Sequence, residues 1–172
     1  MVADRKRGVT LMDMNEIIKS MIFGEEPENL LNEKMDMEAM DILEQGWEAS
    51  QDEALRDRYV EVCTEYAEKY FNDEEFDSAI EAYDRAIAAD ETCKKAYLGL
   101  HQVYLYLEEY DSADVVLEEG CLATGDKELE EIRFKSLTEL GQRFVGEENY
   151  EYAIPCLEKL LEAGRGDDNT RL

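Results

Sequence analysis

The chain is poor in most of the residues from which catalytic, metal and membrane-spanning sites are built. It carries one histidine, His101, with two prolines and one tryptophan in 172 residues. A single imidazole leaves no room for paired-histidine metal sites, and no H-E-x-x-H and no Ser-His-Asp pattern is visible. There is no G-x-G-x-x-G and no P-loop, so no segment is marked as a phosphate cradle. No run approaches the ~18 uninterrupted apolar residues that span a bilayer. The opening "MVADRKRGVTLMDMNEII" has a basic triplet but lacks the apolar core of a secretory signal. The four cysteines, Cys63, Cys93, Cys121 and Cys156, form no C-x-x-C pair, which argues against zinc and redox motifs. They are expected to be small buried thiols, without disulfides, in a cytoplasmic protein.

Cations are scarce too. Eighteen Lys+Arg stand against 44 Asp+Glu, a net charge of −26. Such a field repels nucleic acid and anionic membranes, so neither nucleic-acid binding nor membrane insertion is expected. It favours cationic partners or serves solubility alone. The acids do not form an EF-hand, since "NDEEFD" lacks glycine at the required turn. Paired carboxylates on solvent-facing helix stripes are ordinary hydration. The chain is therefore expected to be no enzyme and to use no cofactor and no metal.

What is present is a repeat. "EEFDSAIEAY" at 74–83 matches "EEYDSADVVL" at 108–117, which places Ala113 34 residues after Ala79. A third copy, "EENYEYAIPCL" at 147–157, places Ala153 40 residues after Ala113. Ahead of each alanine, large residues recur at i, i+3 and i+7, with a small one at i+4 in two of the three copies. Cys63, Tyr66, Ala67 and Tyr70 lead to Ala79, Tyr97, Leu100, His101 and Tyr104 to Ala113, and Leu137, Leu140, Gly141 and Phe144 to Ala153. Spacing of i, i+3, i+7 puts them on one helix face. A polar turn and a second helix follow, and the alanine suits a close approach of two antiparallel helices. Neither helix buries its face alone, so the pairs must stack.

This pattern resembles the tetratricopeptide repeat family, with copies at about 60–93, 94–127 and 134–167. The family's tryptophan is replaced by Cys63, Tyr97 and Leu137, and its closing proline by Glu91, Gly125 and Arg165. The resemblance implies an all-α fold: a right-handed superhelical solenoid of antiparallel helix pairs. An N-terminal helical cap or arm (1–52), the repeat array (53–167) and a frayed tail (168–172) complete it. Further helix starts are expected near Asp52 and near Lys127, where Gly125 ends one helix and Asp126 caps the next. Pro155 lies a few residues into the last helix and costs some stability there.

The N-terminal part lies outside the repeat. Met14, Ile17, Ile18, Met21 and Ile22 form one helical stripe, and Met35, Ala39, Ile42, Leu43 and Gly46 share a face of a second helix. Two readings stay open: a cap on the end of the solenoid, or a methionine-rich arm for homodimerisation or partner docking.

The resemblance also implies a binding module whose first helices line a concave peptide groove. By helical phase, Glu61, Thr64, Glu65 and Glu68 point there from the first repeat. Lys95, Leu98, Gln102, Leu105 and Tyr106 do so from the second, and Lys135, Thr138, Glu139 and Gln142 from the third. These charges either form an ordinary solvated face or take a cationic or amphipathic segment of a partner protein. The carboxylate clamp of one subgroup is not matched: Thr64, Glu68, Gly99 and Glu139 stand at its positions and only Lys135 fits. A second expectation, from overall form, is a chaperone for secreted translocator proteins, while "AYLGLHQVYLYLEEYDSADVVLEEGCLATGD" is similar to repeats of large Firmicutes proteins. His101 stands where the neighbouring copies have Ala67 and Gly141. Its ring is expected to wedge between helices or tilt outward, with nearby acids holding its proton more tightly.

Overall fold

The computed structural model describes residues 33–164. The stripe at 14–22, the 168–172 tail and the positions of Met35 and Arg165 as side chains lie outside what it describes. Among the described residues there are seven helices and no strand. They are α1 (Glu33–Ser50), α2 (Glu53–Asn72), α3 (Phe76–Ala89), α4 (Lys94–Tyr106), α5 (Tyr110–Thr124), α6 (Lys127–Gly146) and α7 (Tyr150–Glu162). The chain divides between Asp90 and Glu91 into two compact units, each taken by itself below.

In the first unit, α2 starts where its cap dictates. The Asp52 carboxylate accepts from the Ala54 N–H at 2.9 Å, satisfying one of the donors that every helix start leaves over. The helix buries Tyr59, Val62, Cys63, Ala67 and Tyr70. Its partner α3 buries Ala79, Ala82, Tyr83 and Ala86, and three alanines on one face allow close packing. Burial pushes the Tyr83 phenol up to about 12, with Glu68 adding to the shift. The first helix, α1, buries Ala39, Met40 and Leu43 and stacks Trp47 on Tyr59 at 6.1 Å between ring centroids. Its inward face is turned from the expected one: Met40 is fully buried while Ile42 and Gly46 are half-buried. Arg85 of α3 ties the unit together, donating to Asp41 at 2.7 Å.

In the second unit, Gly125 adopts φ 63°, a left-handed conformation glycine takes without strain, and ends α5. The Asp126 carboxylate then accepts from the Glu128 N–H at 2.7 Å, so α6 begins at Lys127. Lys94, at the start of α4, reaches Asp126 at 2.9 Å and Glu128 at 2.6 Å, which links the two helix starts. Those bonds raise the Lys94 pKa, Glu128 foremost. One core cluster joins Leu137, Leu140 and Phe144 of α6 to Ala153, Cys156, Leu157 and Leu160 of α7. Gly141 faces that cluster, where a Cβ would meet Leu157 Cδ2 at 3.1 Å. Pro155 is the sixth residue of α7. It lies past the first turn, so its missing N–H falls within the bonded ladder and leaves the Glu151 carbonyl without a helix donor.

The three hairpin turns share one geometry. Glu74, Glu108 and Glu148 all have positive φ, at 63°, 60° and 57°. Each is followed by an N–H that reaches back five residues: Glu75 to the Tyr70 carbonyl at 2.8 Å, Glu109 to Tyr104 at 2.9 Å, Asn149 to Phe144 at 2.8 Å. These bonds satisfy carbonyls that a helix end leaves over. The spacing is that of Ala79, Ala113 and Ala153, so the repeat in sequence is a repeat in backbone.

Candidate functional site

The residues expected to line a groove are sorted by the structure into three states. Glu61, Glu65, Glu68, Lys95, Gln102, Tyr106, Lys135, Glu139 and Gln142 are exposed. Leu98, Leu105 and Thr138 are half-buried, and Leu105 packs against the α6–α7 core cluster. Thr64 is buried at 2% exposure, which removes it from any surface. Helical phase placed it outward, but its hydroxyl turns back to donate to the Glu61 carbonyl at 2.9 Å. Thr138 does the same to Phe134 at 2.8 Å. Both hydroxyl protons are therefore spent within their own helices. Glu61 pairs with Arg58 and Lys135 with Glu139, exposed pairs of small energetic consequence. Tyr106 stands out at 59% exposed.

His101 is wedged, not tilted out. It is 6% exposed, and Nδ1 lies 3.0 Å from the Ala113 carbonyl oxygen. A carbonyl only accepts, so Nδ1 carries the proton. Burial lowers the His101 pKa, outweighing the opposing pull of the Ala113 bond and of Asp114. This corrects the expectation that acids would hold its proton more tightly. Desolvation penalises the imidazolium more than the one nearby acid favours it.

That acid is already paired. Asp114 is buried at 5% exposure and accepts from Arg133 Nε at 2.7 Å and from another Arg133 nitrogen at 3.1 Å. Lys159 Nζ lies 2.8 Å from Oδ2, the oxygen that also accepts the 3.1 Å bond from Arg133. Burial works to raise the Asp114 pKa, but the Arg133 and Lys159 bonds overcome it and hold the carboxyl below its ordinary value. The cluster joins α5, α6 and α7, and none of its members was singled out from the sequence. One signal was there: Asp114 follows the repeat alanine where the other copies have Ile80 and Ile154.

Next to this cluster opens a cleft of about 320 Å³ between α5, α6 and α7. Aromatic rings wall it. Tyr110 lies edge-on to Phe144 at 5.0 Å, and Phe144 lies 5.4 Å from Tyr152. Arg143 extends over the Tyr110 ring, 5.0 Å from its centroid. Asp111 and Glu151 stand at its exposed lip, and Cys156 lies inside it. Burial raises the Cys156 pKa, which keeps the thiol protonated and a poor nucleophile. None of the expected groove residues lines this cleft.

None of the four cysteines is in a disulfide; Cys63 and Cys156 are buried, while Cys93 and Cys121 are half-exposed. Among the described residues no group of three or more His, Cys, Asp or Glu is placed to hold a metal ion. No described helix is long and apolar enough to cross a membrane. No family model matches the chain, and no curated protein matches it.

Proposed function

We propose that the chain is a non-catalytic interaction module of tetratricopeptide type, a right-handed superhelical stack of helix pairs that binds a cationic or amphipathic segment of a partner protein. Tyr106 carries the reading. It is a large aromatic side chain left 59% exposed at the end of α4, beside exposed Gln102. Amphipathic aromatics of this kind are the usual anchors of protein interfaces. The net charge of −26 favours a partner segment rich in Lys or Arg.

The test is fluorescence anisotropy of labelled Lys/Arg-rich amphipathic peptides with the full chain at about 150 mM salt. Tyr106→Ala should weaken binding about fivefold or more, the size of a moderate hot spot. Binding that disappears at this salt, or that Tyr106→Ala leaves unchanged, defeats the reading.

A further inference from the structure

The shared register of the three turns also aligns the second helix of each hairpin. Tyr110, Asp114 and Cys121 of α5 correspond to Tyr150, Ile154 and Leu161 of α7, each pair 40 residues apart. In α5 the following hairpin covers Tyr110 and Asp114 of that row, while Cys121 is half-exposed. Tyr110 meets Phe144 of α6 and Tyr152 of α7, and Asp114 is held by Arg133 and Lys159. In α7 the same row is open: Tyr150 is 50%, Ile154 44% and Leu161 42% exposed.

We propose that the Tyr150–Ile154–Leu161 row is a docking surface for a basic amphipathic helix of another protein. The α5 row shows what fits this geometry, namely helices. The spacing of i, i+4, i+11 puts the three side chains on one face. Next to them, Glu151, Glu158 and Glu162 are exposed, and the one lysine of α7, Lys159, is engaged with Asp114. The flank is thus acidic and asks for cations. A second copy of this chain is a poor occupant, because each copy carries −26 and would bring its own acids against these. The centre has a further requirement. Asp114 receives the Arg133 guanidinium, but Ile154 in its place offers a cation nothing, so the incoming helix presents an apolar residue there. Lys or Arg belongs on its edges. This surface is separate from Tyr106 and does not depend on it.

The experiment uses the isotope-labelled full chain and a synthetic helical peptide of ~21 residues, with Leu and Ile along one face and Lys on its flanks. A peptide with the same apolar face and Glu flanks, and a scrambled peptide of the same composition, serve as controls at about 150 mM salt. Amide shifts should saturate around Tyr150, Ile154 and Leu161. Ile154→Glu and, separately, Glu158→Lys should each weaken binding about tenfold, while Tyr106→Ala leaves it unchanged. Ile154 is exposed, so the variant should melt like the parent; Leu161→Ser is the second variant should it not. Equal binding of the scrambled or Glu-flanked peptide, or indifference to both Ile154→Glu and Leu161→Ser, overturns the proposal. A dimer seen by light scattering and abolished by Ile154→Glu overturns it in favour of a second copy. Loss in Tyr106→Ala alone overturns it too and moves the peptide to α4, in agreement with the proposed function.

Discussion

Nδ1 of His101 donates to the carbonyl oxygen of Ala113 at 3.0 Å, inside the α4–α5 hairpin. The imidazole occupies a position that the neighbouring copies give to Ala67 and Gly141, and it bonds to the facing backbone. Its burial sets its titration.

Stability should accordingly fall on mild acidification. Below the ordinary value of 6.5 the unfolded chain takes up a proton at His101 that the folded chain, with its lowered pKa, does not. Stability is therefore lost as pH falls through 6.5 and levels off below the folded pKa. His101→Asn retains a donor to Ala113 but does not titrate. Urea midpoints measured between about pH 7.5 and about pH 5.5 should drop further for the parent than for the variant. Equal drops would remove His101 as the cause.

Gly120 should not tolerate a methyl group. A Cβ there would lie 2.8 Å from Cγ of Tyr97, a ring fixed by its hydroxyl bond to the Glu91 carbonyl at 3.1 Å. Gly120→Ala should cost about 1–3 kcal/mol of overpacking, against about 1 kcal/mol gained in helix propensity. Gly46→Ala, with nothing within 4 Å of its Cβ, should instead stabilise by about 0.5–1 kcal/mol. Opposite shifts in thermal midpoint are the expected readout.

The turn glutamates carry backbone strain that glycine would relieve. Glu108 sits at φ 60°, where a Cβ is unfavourable by roughly 1 kcal/mol. Glu108→Gly should raise stability by about 0.5 kcal/mol after the greater entropy of the unfolded chain is subtracted. Chemical denaturation of this single variant, and of the matching Glu74→Gly and Glu148→Gly, should give the same sign at all three turns.

Asp114 holds three helices of the second unit together. Asp114→Ala would leave Arg133, 15% exposed at its side chain, without its two-pronged acceptor and should cost about 3 kcal/mol. Arg133→Lys should cost less, about 1–2 kcal/mol, because lysine keeps the positive charge and loses only the forked geometry. A double-mutant cycle with Arg133→Ala should show coupling; additive effects would mean that the pair contributes little beyond its separate contacts.

The placement of helices was readable because it depends on neighbours in sequence. Asp52 and Asp126 are caps, Gly125 is a stop, and the i, i+3, i+7 rows before Ala79, Ala113 and Ala153 define faces. Which side chains stay exposed was less readable. Helical phase says where Thr64 and Leu105 point on their own helices, but not that Thr64 is buried or that Leu105 lies on the α6–α7 cluster. The rotation of α1 that buries Met40 escaped for the same reason.

By itself the sequence determined the helical hairpins, their caps and their repeated register, since capping bonds and apolar periodicity act over a few residues. Only the tertiary structure decided what those hairpins do to individual groups. It brought Arg133 and Lys159 onto Asp114 across distant positions, walled a cleft with Tyr110, Phe144 and Tyr152, and left Tyr150, Ile154 and Leu161 open. It also made burial, rather than the chain's surplus of acids, the larger influence on His101, because desolvation depends on what surrounds a group in space.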